Sequence, residues 1–117
     1  MTPREKLQLT MKAEIFKALG QPMRLAIMEI LHENEMQAGR IAVQLGTDAP
    51  NVSRHLALLR KRGLVADRKQ GPNIFYRETI PHLMRFIRCV EKAVQQRSDA
   101  QMLSNISASA PPLPPGN

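Results

Sequence analysis

Residues 49–63 read Ala-Pro-Asn-Val-Ser-Arg-His-Leu-Ala-Leu-Leu-Arg-Lys-Arg-Gly, and this stretch limits the possible folds more than any other. At helical spacing Val52, His55, Leu56 and Leu59 share one face, while Pro50, Arg54, Ala57 and Lys61 share the opposite one. Such a helix has a narrow stripe to bury and a basic outer stripe. The short Ala57 in the middle of that outer stripe lets a phosphate or groove wall approach. Asp48 predicts an N-cap, Pro50 falls in the first turn where a missing N–H is harmless, and Gly63 ends the helix. This is the pattern of the second, recognition helix of a helix-turn-helix.

The neighbouring segments fit that frame. Residues 37–45 predict a short helix with Ile41, Ala42 and Leu45 inward, and Gly46-Thr47-Asp48 supplies the tight turn. Upstream, residues 5–20 repeat Leu7, Met11, Ile15, Ala18 and Leu19 at three- and four-residue steps, and Gly20 ends that helix. Pro22 opens another over residues 22–32 that is apolar on most sides, so it should form the centre of the core. Residues 32–35, His-Glu-Asn-Glu, read as a loop. Downstream, residues 64–69 and 73–78 have strand character around Gln-Gly-Pro-Asn, which predicts a basic hairpin, or wing.

A last helix is expected from Pro81 to about Arg97. Its Ile80, Leu83, Met84, Phe86, Ile87, Val90, Ala93 and Val94 cover about half the circumference, wider than the ~100° stripe one core requires. Two apolar contacts follow, one with its own domain and one with a second subunit. The expected fold is mainly α with a small β-hairpin: a dimeric winged helix-turn-helix in the order ααααββα. Residues 1–97 are expected to form the DNA-binding and dimerisation domain, and 98–117 a disordered Pro-rich tail ending Pro-Pro-Leu-Pro-Pro-Gly-Asn.

Charge placement narrows the function. The formal net charge is +7, and residues 49–77 hold Arg54, Arg60, Lys61, Arg62, Arg68, Lys69 and Arg77 against the single acid Asp67. That local excess of +6 is segregated, where a merely solvated face mixes its signs, so a polyanion is the expected partner. No nucleophile–base pair, paired carboxylates or phosphate-cradling Gly loop points to an enzyme. One cysteine excludes an internal disulfide and fits a reducing cytoplasm. No apolar run reaches the roughly 20 residues of a membrane span, and no signal-peptide stretch opens the chain. Three scattered histidines lack metal-ligand spacing, and no cofactor motif is present. The seven methionines fill gaps in an aliphatic core.

The chain resembles the ArsR/SmtB family of bacterial and archaeal winged-helix repressors over residues 16–94. The resemblance lies in Ala-Leu-Gly-Gln-Pro-Met-Arg-Leu (18–25), Asn-Val-Ser-Arg-His-Leu-Ala-Leu-Leu-Arg (51–60), Gly-Leu-Val (63–65) and Phe-Tyr-Arg (75–77), in family order and spacing. It implies a homodimer joined through the first and last helices, at Leu7, Met11, Leu83, Ile87, Val90 and Val94, binding double-stranded DNA at a palindromic operator. Many family members leave DNA on binding a metal ion or meeting a thiol oxidant. Here Gln37 and Gly39 stand where one branch places cysteines. Ile80, His82, Ala93 and Gln96 stand where another places its four ligands, so one of four remains and the expected metal content is none.

By position in that family, Pro50, Asn51, Ser53 and Arg54 face the groove. Arg54 either reads guanine O6 and N7 or holds a phosphate, and Asn51 could pair an adenine edge. Arg60, Lys61, Arg68 and Lys69 suit phosphates; Arg77 belongs either to the wing's contacts or to a structural ion pair. His55 points to the buried edge and reads as a core or backbone-bonded histidine. Cys89 sits at the edge of the apolar arc beside Arg85 and Lys92: it is either an apolar filler at the helix interface or a redox-responsive thiol. The effector, if there is one, is unknown. The rival to a sequence-specific repressor is a winged helix used as a protein-interaction module or as a nonspecific polyanion binder.

Overall fold

The computed structural model describes residues 1–109, with side chains through residue 105. Helices α1 (Pro3–Leu19), α2 (Pro22–Glu33), α3 (Ala38–Leu45) and α4 (Ala49–Lys61) come first. Strands β1 (Val65–Gln70) and β2 (Asn73–Glu78) and helix α5 (Pro81–Ser109) follow. This is the winged helix-turn-helix. Its contacts group into two compact units, residues 1–81 and the segment from His82 onward.

Local chemistry explains the helix boundaries of the first unit. Thr2 and Glu5 form a capping box at α1, the Thr2 hydroxyl accepting from the Glu5 N–H at 3.1 Å and the Glu5 carboxylate from the Thr2 N–H at 2.8 Å. Pro22 starts α2 while the Gln21 side chain accepts from the Arg24 N–H at 2.9 Å. At the end of α3, Gly46 takes the left-handed conformation (φ 67°) and its N–H bonds to Val43 O, while the Thr47 N–H returns to Ala42 O at 3.0 Å. Gly63 repeats that closure after α4 (φ 78°), with Gly63 N–H on Arg60 O and Leu64 N–H on Leu59 O. Both are Schellman caps, and only glycine enters them without strain.

The core of this unit is aliphatic. Ile27, Met28 and Leu31 of α2 are buried with Ile41 and Ala42 of α3, and with Val52, Leu56 and Leu59 of α4. No polar residue among the described ones is buried. Three α4 residues at 0% exposure, each stabilising by about 1.5–3 kcal/mol, fix the rotation of that helix about its axis. Turning the basic stripe inward would forfeit all three at once.

The hairpin is antiparallel, pairing Val65 with Glu78 through to Gln70 with Asn73. It is closed at its base by Thr79, whose N–H donates to Leu64 O at 3.2 Å and whose hydroxyl donates to Gly63 O at 2.6 Å. Just after the loop expected at residues 32–35 stands a structural element the sequence did not reveal. Met36 exchanges both backbone hydrogen bonds with Tyr76, at 3.1 and 2.9 Å, and so adds a one-residue third strand to β2. His32, at the last turn of α2, places Nδ1 2.9 Å from the Glu78 carboxylate. The wing is thereby tied to α2 and to the segment entering α3.

Helix α5 is longer than expected. It continues past Arg97 through Ser109, so the tail expected over 98–117 is helical in its first part, and residues 110–117 lie outside the described residues. The reason is local: Ala100, Gln101, Met102 and Leu103 are good helix formers, and no proline occurs between Pro81 and Pro111. Gln95–Asp99 and Gln101–Asn105 add side-chain hydrogen bonds one turn apart, each 3.1 Å. Along α5 Met84 is buried and Leu83 and Ile87 half-buried, whereas Phe86, Val90 and Val94 are exposed.

Candidate nucleic-acid interface

The buried stripe of α4 leaves Pro50, Ser53, Arg54, Ala57, Arg60 and Lys61 exposed, as the sequence pattern requires, with Asn51 half-buried at the first turn. Asp48 caps the helix, its carboxylate accepting from the Asn51 N–H at 2.8 Å. Arg54 is not free-swinging: its Nη2 donates to Asn51 Oδ1 at 3.1 Å, and Asn51 Nδ2 in turn donates to Thr47 Oγ1 at 3.1 Å. Both ends of the Asn51 amide are therefore occupied within the protein.

The cations of the basic stretch fall into two groups. Arg60 pairs with Asp67 at 3.4 Å, Arg62 with Glu14 at 3.0 Å, and Arg68 with Glu35 at 2.6 Å. Arg68 also lies over the Phe75 ring, 4.7 Å from its centroid, and donates to Gln70. Such pairs hold elements in place more than they stabilise, since exposed ion pairs contribute about 0–1 kcal/mol. Arg54, Lys61, Lys69 and Arg77 make no ion pair among the described residues and stand exposed. The strand pleat separates the last two. Lys69 shares a hairpin face with Asp67, while Arg77 shares the other with Arg68 and Phe75. Asp67 bonds Arg60 of α4, so the Lys69 face is the one turned toward the recognition helix.

Two residues behind α4 set its position. Arg24 donates through Nε to the Ala18 carbonyl at the end of α1, and its Nη1 lies 3.4 Å from His55 Nδ1. A guanidinium only donates, so a hydrogen bond here needs Nδ1 to accept, which the neutral imidazole does and the imidazolium does not. Burial first, then the charges of Arg24 and Arg54, push the His55 pKa below its ordinary 6.5. His55 thus has an arginine as its partner where the sequence suggested the core or the backbone. Sequence reasoning missed Arg24; its one signal was an arginine early in an otherwise apolar helix with no acid within a turn of it.

The linkage has a definite sign. A lowered folded-state pKa gives a contribution that is whole above the unfolded value near 6.5 and is lost as pH falls through the folded value. Wild-type stability should therefore drop between pH 7.5 and pH 5 more than that of His55→Gln in urea titrations. Parallel pH profiles would show that His55 is not strained by protonation.

Residues 21–67, spanning α2 to the middle of β1, match the profile of the arsR family of bacterial regulatory proteins. The chain is 40% identical over 81 residues to an uncharacterised HTH-type transcriptional regulator of Methanocaldococcus jannaschii, covering 68% of this chain and 91% of that one. The chain belongs to the arsR family. It is also 36% identical over 80 residues to the HTH-type transcriptional regulator KmtR of Mycobacterium tuberculosis, spanning 62% of that relative's length. Among solved structures it is similar to the homodimeric winged helix-turn-helix DNA-binding domain Mb0332 of Mycobacterium bovis. That match has a TM-score of 0.75 and 26% identity, and covers 86% of this chain and 93% of the other.

For this family member the metal question turns on ligand supply. No group of three or more His, Cys, Asp or Glu side chains suited to a metal occurs among the described residues. His82 is exposed at the start of α5, and Gln37, Gly39, Ala93 and Gln96 offer no imidazole, thiolate or carboxylate. Zinc, cadmium and arsenite at stoichiometric levels should therefore leave the DNA complex intact in a gel shift. Micromolar metal binding by calorimetry, abolished in His82→Ala, would contradict this. Cys89 is a free, exposed thiol on α5. No described helix is long and apolar enough to cross a membrane.

Proposed function

We propose that this chain is a cytoplasmic, sequence-specific transcriptional repressor without catalytic activity, acting as a homodimer on a palindromic operator. Residues 1–97 carry both tasks. The observation that supports the reading best is the division of α4. Its apolar stripe is wholly buried, its outer stripe presents Pro50, Ser53, Arg54, Ala57 and Lys61, and a hairpin follows directly. Arg54 reads a base edge while Lys61 and, from the wing, Lys69 hold phosphates. Arg60 and Arg68 reach phosphates while keeping the carboxylate partners that position them, and Arg77 serves the far face of the wing. Asn51 lies at the groove entrance beside Arg54. The dimer forms through Leu7 and Met11 of α1 and through Leu83, Ile87, Val90 and Val94 of α5. Of these, Leu7, Met11, Val90 and Val94 are exposed in the single chain.

The competing reading, a nonspecific polyanion binder, differs in a simple competition. Labelled operator bound to the protein should be displaced by unlabelled operator at far lower concentration than by bulk DNA or heparin. Equal displacement by all three would establish the polyanion reading. The affinity should also fall with salt by about 0.9 logarithmic units per tenfold salt for each phosphate neutralised.

A further inference from the structure

Thr47 is uncharged, half-buried and outside the recognition helix, one residue before its N-cap. Its backbone is fixed by the closure of α3, where its N–H bonds to Ala42 O at 3.0 Å. Its β-branched side chain is stiff at χ1. The hydroxyl oxygen is 3.1 Å from Asn51 Nδ2, and Asn51 Oδ1 is 3.1 Å from Arg54 Nη2. The direction of this relay is fixed by chemistry. Arginine only donates, so the amide oxygen faces Arg54 and the amide nitrogen is left to donate to Thr47. Asn51 is further held through its backbone N–H on Asp48.

We propose that Thr47 is a specificity-determining positioning residue, which acts through Asn51 to hold the Arg54 guanidinium in the orientation that meets a base edge. This rests on the reading of the chain as a sequence-specific DNA binder. Arg54 is exposed and long, and an unrestrained arginine loses rotamer freedom when it docks. One held beforehand loses less, and the saving applies only where geometry counts. One of its five N–H groups is committed to Asn51, which leaves enough for a bidentate contact with guanine. Contact with a phosphate tolerates many orientations and gains little from the relay.

The experiment measures the affinity of the full chain for its selected operator and for random duplex of equal length. The proteins are wild type, Thr47→Val, Thr47→Ser, Arg54→Ala and the Thr47→Val/Arg54→Ala double variant. Valine keeps the branched shape and removes the acceptor. Thr47→Val should reduce the operator-to-random ratio about 2- to 12-fold per half-site, with random-DNA affinity and salt slope unchanged. Thr47→Ser should restore the ratio. In the Arg54→Ala background, Thr47→Val should have no further effect on it. Should Thr47→Val fail to fold by circular dichroism, Thr47→Ala removes the same acceptor and should give the same pattern. An unchanged ratio in the single variant, or a loss that persists without Arg54, would overturn the proposal. A wild type with no preference for any sequence would instead overturn the DNA reading beneath it.

Discussion

Arg54→Ala should cut the preference for operator over random DNA without abolishing it, while Lys69→Ala should weaken binding to both alike. The two side chains are equally cationic and equally free of ion pairs among the described residues, but they differ in setting. Arg54 projects from the fixed outer stripe of α4 and is tethered to Asn51. Lys69 lies near the end of β1, on the hairpin face that Asp67 turns toward α4. A lost bidentate base contact costs about 1–3 kcal/mol of discrimination, and two-fold symmetry loses it in both half-sites. A lost phosphate contact instead lowers the salt slope by about one per subunit, with little change in the ratio. Quantitative gel shifts at several salt concentrations distinguish the two. If both variants lose affinity equally for operator and random DNA, Arg54 is a phosphate clamp.

The second large effect is expected from Val90→Glu. In the single chain Val90 is 44% exposed and Val94 59%, on a helix whose apolar arc is wider than one contact needs. A carboxylate at that position meets water in the monomer and should leave the fold intact by circular dichroism. In a dimer it would be a buried charge without a partner, which costs several kcal/mol. Sedimentation should show monomers where the wild type is a dimer at micromolar concentration. Operator affinity should fall by about 10²- to 10⁴-fold, because linked half-site binding supplies that much avidity. A variant that remains dimeric would place the subunit contact away from this face.

The helix-turn-helix was legible because its signals are local. The 3.6-residue periodicity of residues 49–61, the Asp48 cap and the glycines at 46 and 63 all act within a turn or two of where they stand. The wing was legible for the same reason, as β-formers flanking a turn. What stayed hidden joins residues distant in sequence. Arg62 finds Glu14 and Arg68 finds Glu35, so the +6 excess read from composition overstates the charge free to meet a polyanion. The Arg24–His55 contact and the Met36–Tyr76 bridge are non-local too, and no periodicity announces them. The extent of α5 failed differently. Ser98 and the proline-rich end are helix-breaking signals, but the Ala-Gln-Met-Leu run between them has the helix propensity to carry the helix on to Ser109. At the interface itself, sequence identified the stripe, while only the structure could show that Asn51 is already engaged between Thr47 and Arg54.

The central claim, that a dimer of this chain reads a specific sequence through α4, is tested most directly by selecting DNA from a random pool with the purified protein. The enriched sequences should share a two-fold symmetric motif whose half-sites lie one helical turn apart or a multiple of it, about 10–10.5 base pairs. Repeating the selection with Arg54→Ala should flatten the motif within each half-site. Recovery of a pool no different from the starting one, or of a motif without two-fold symmetry, would contradict the account.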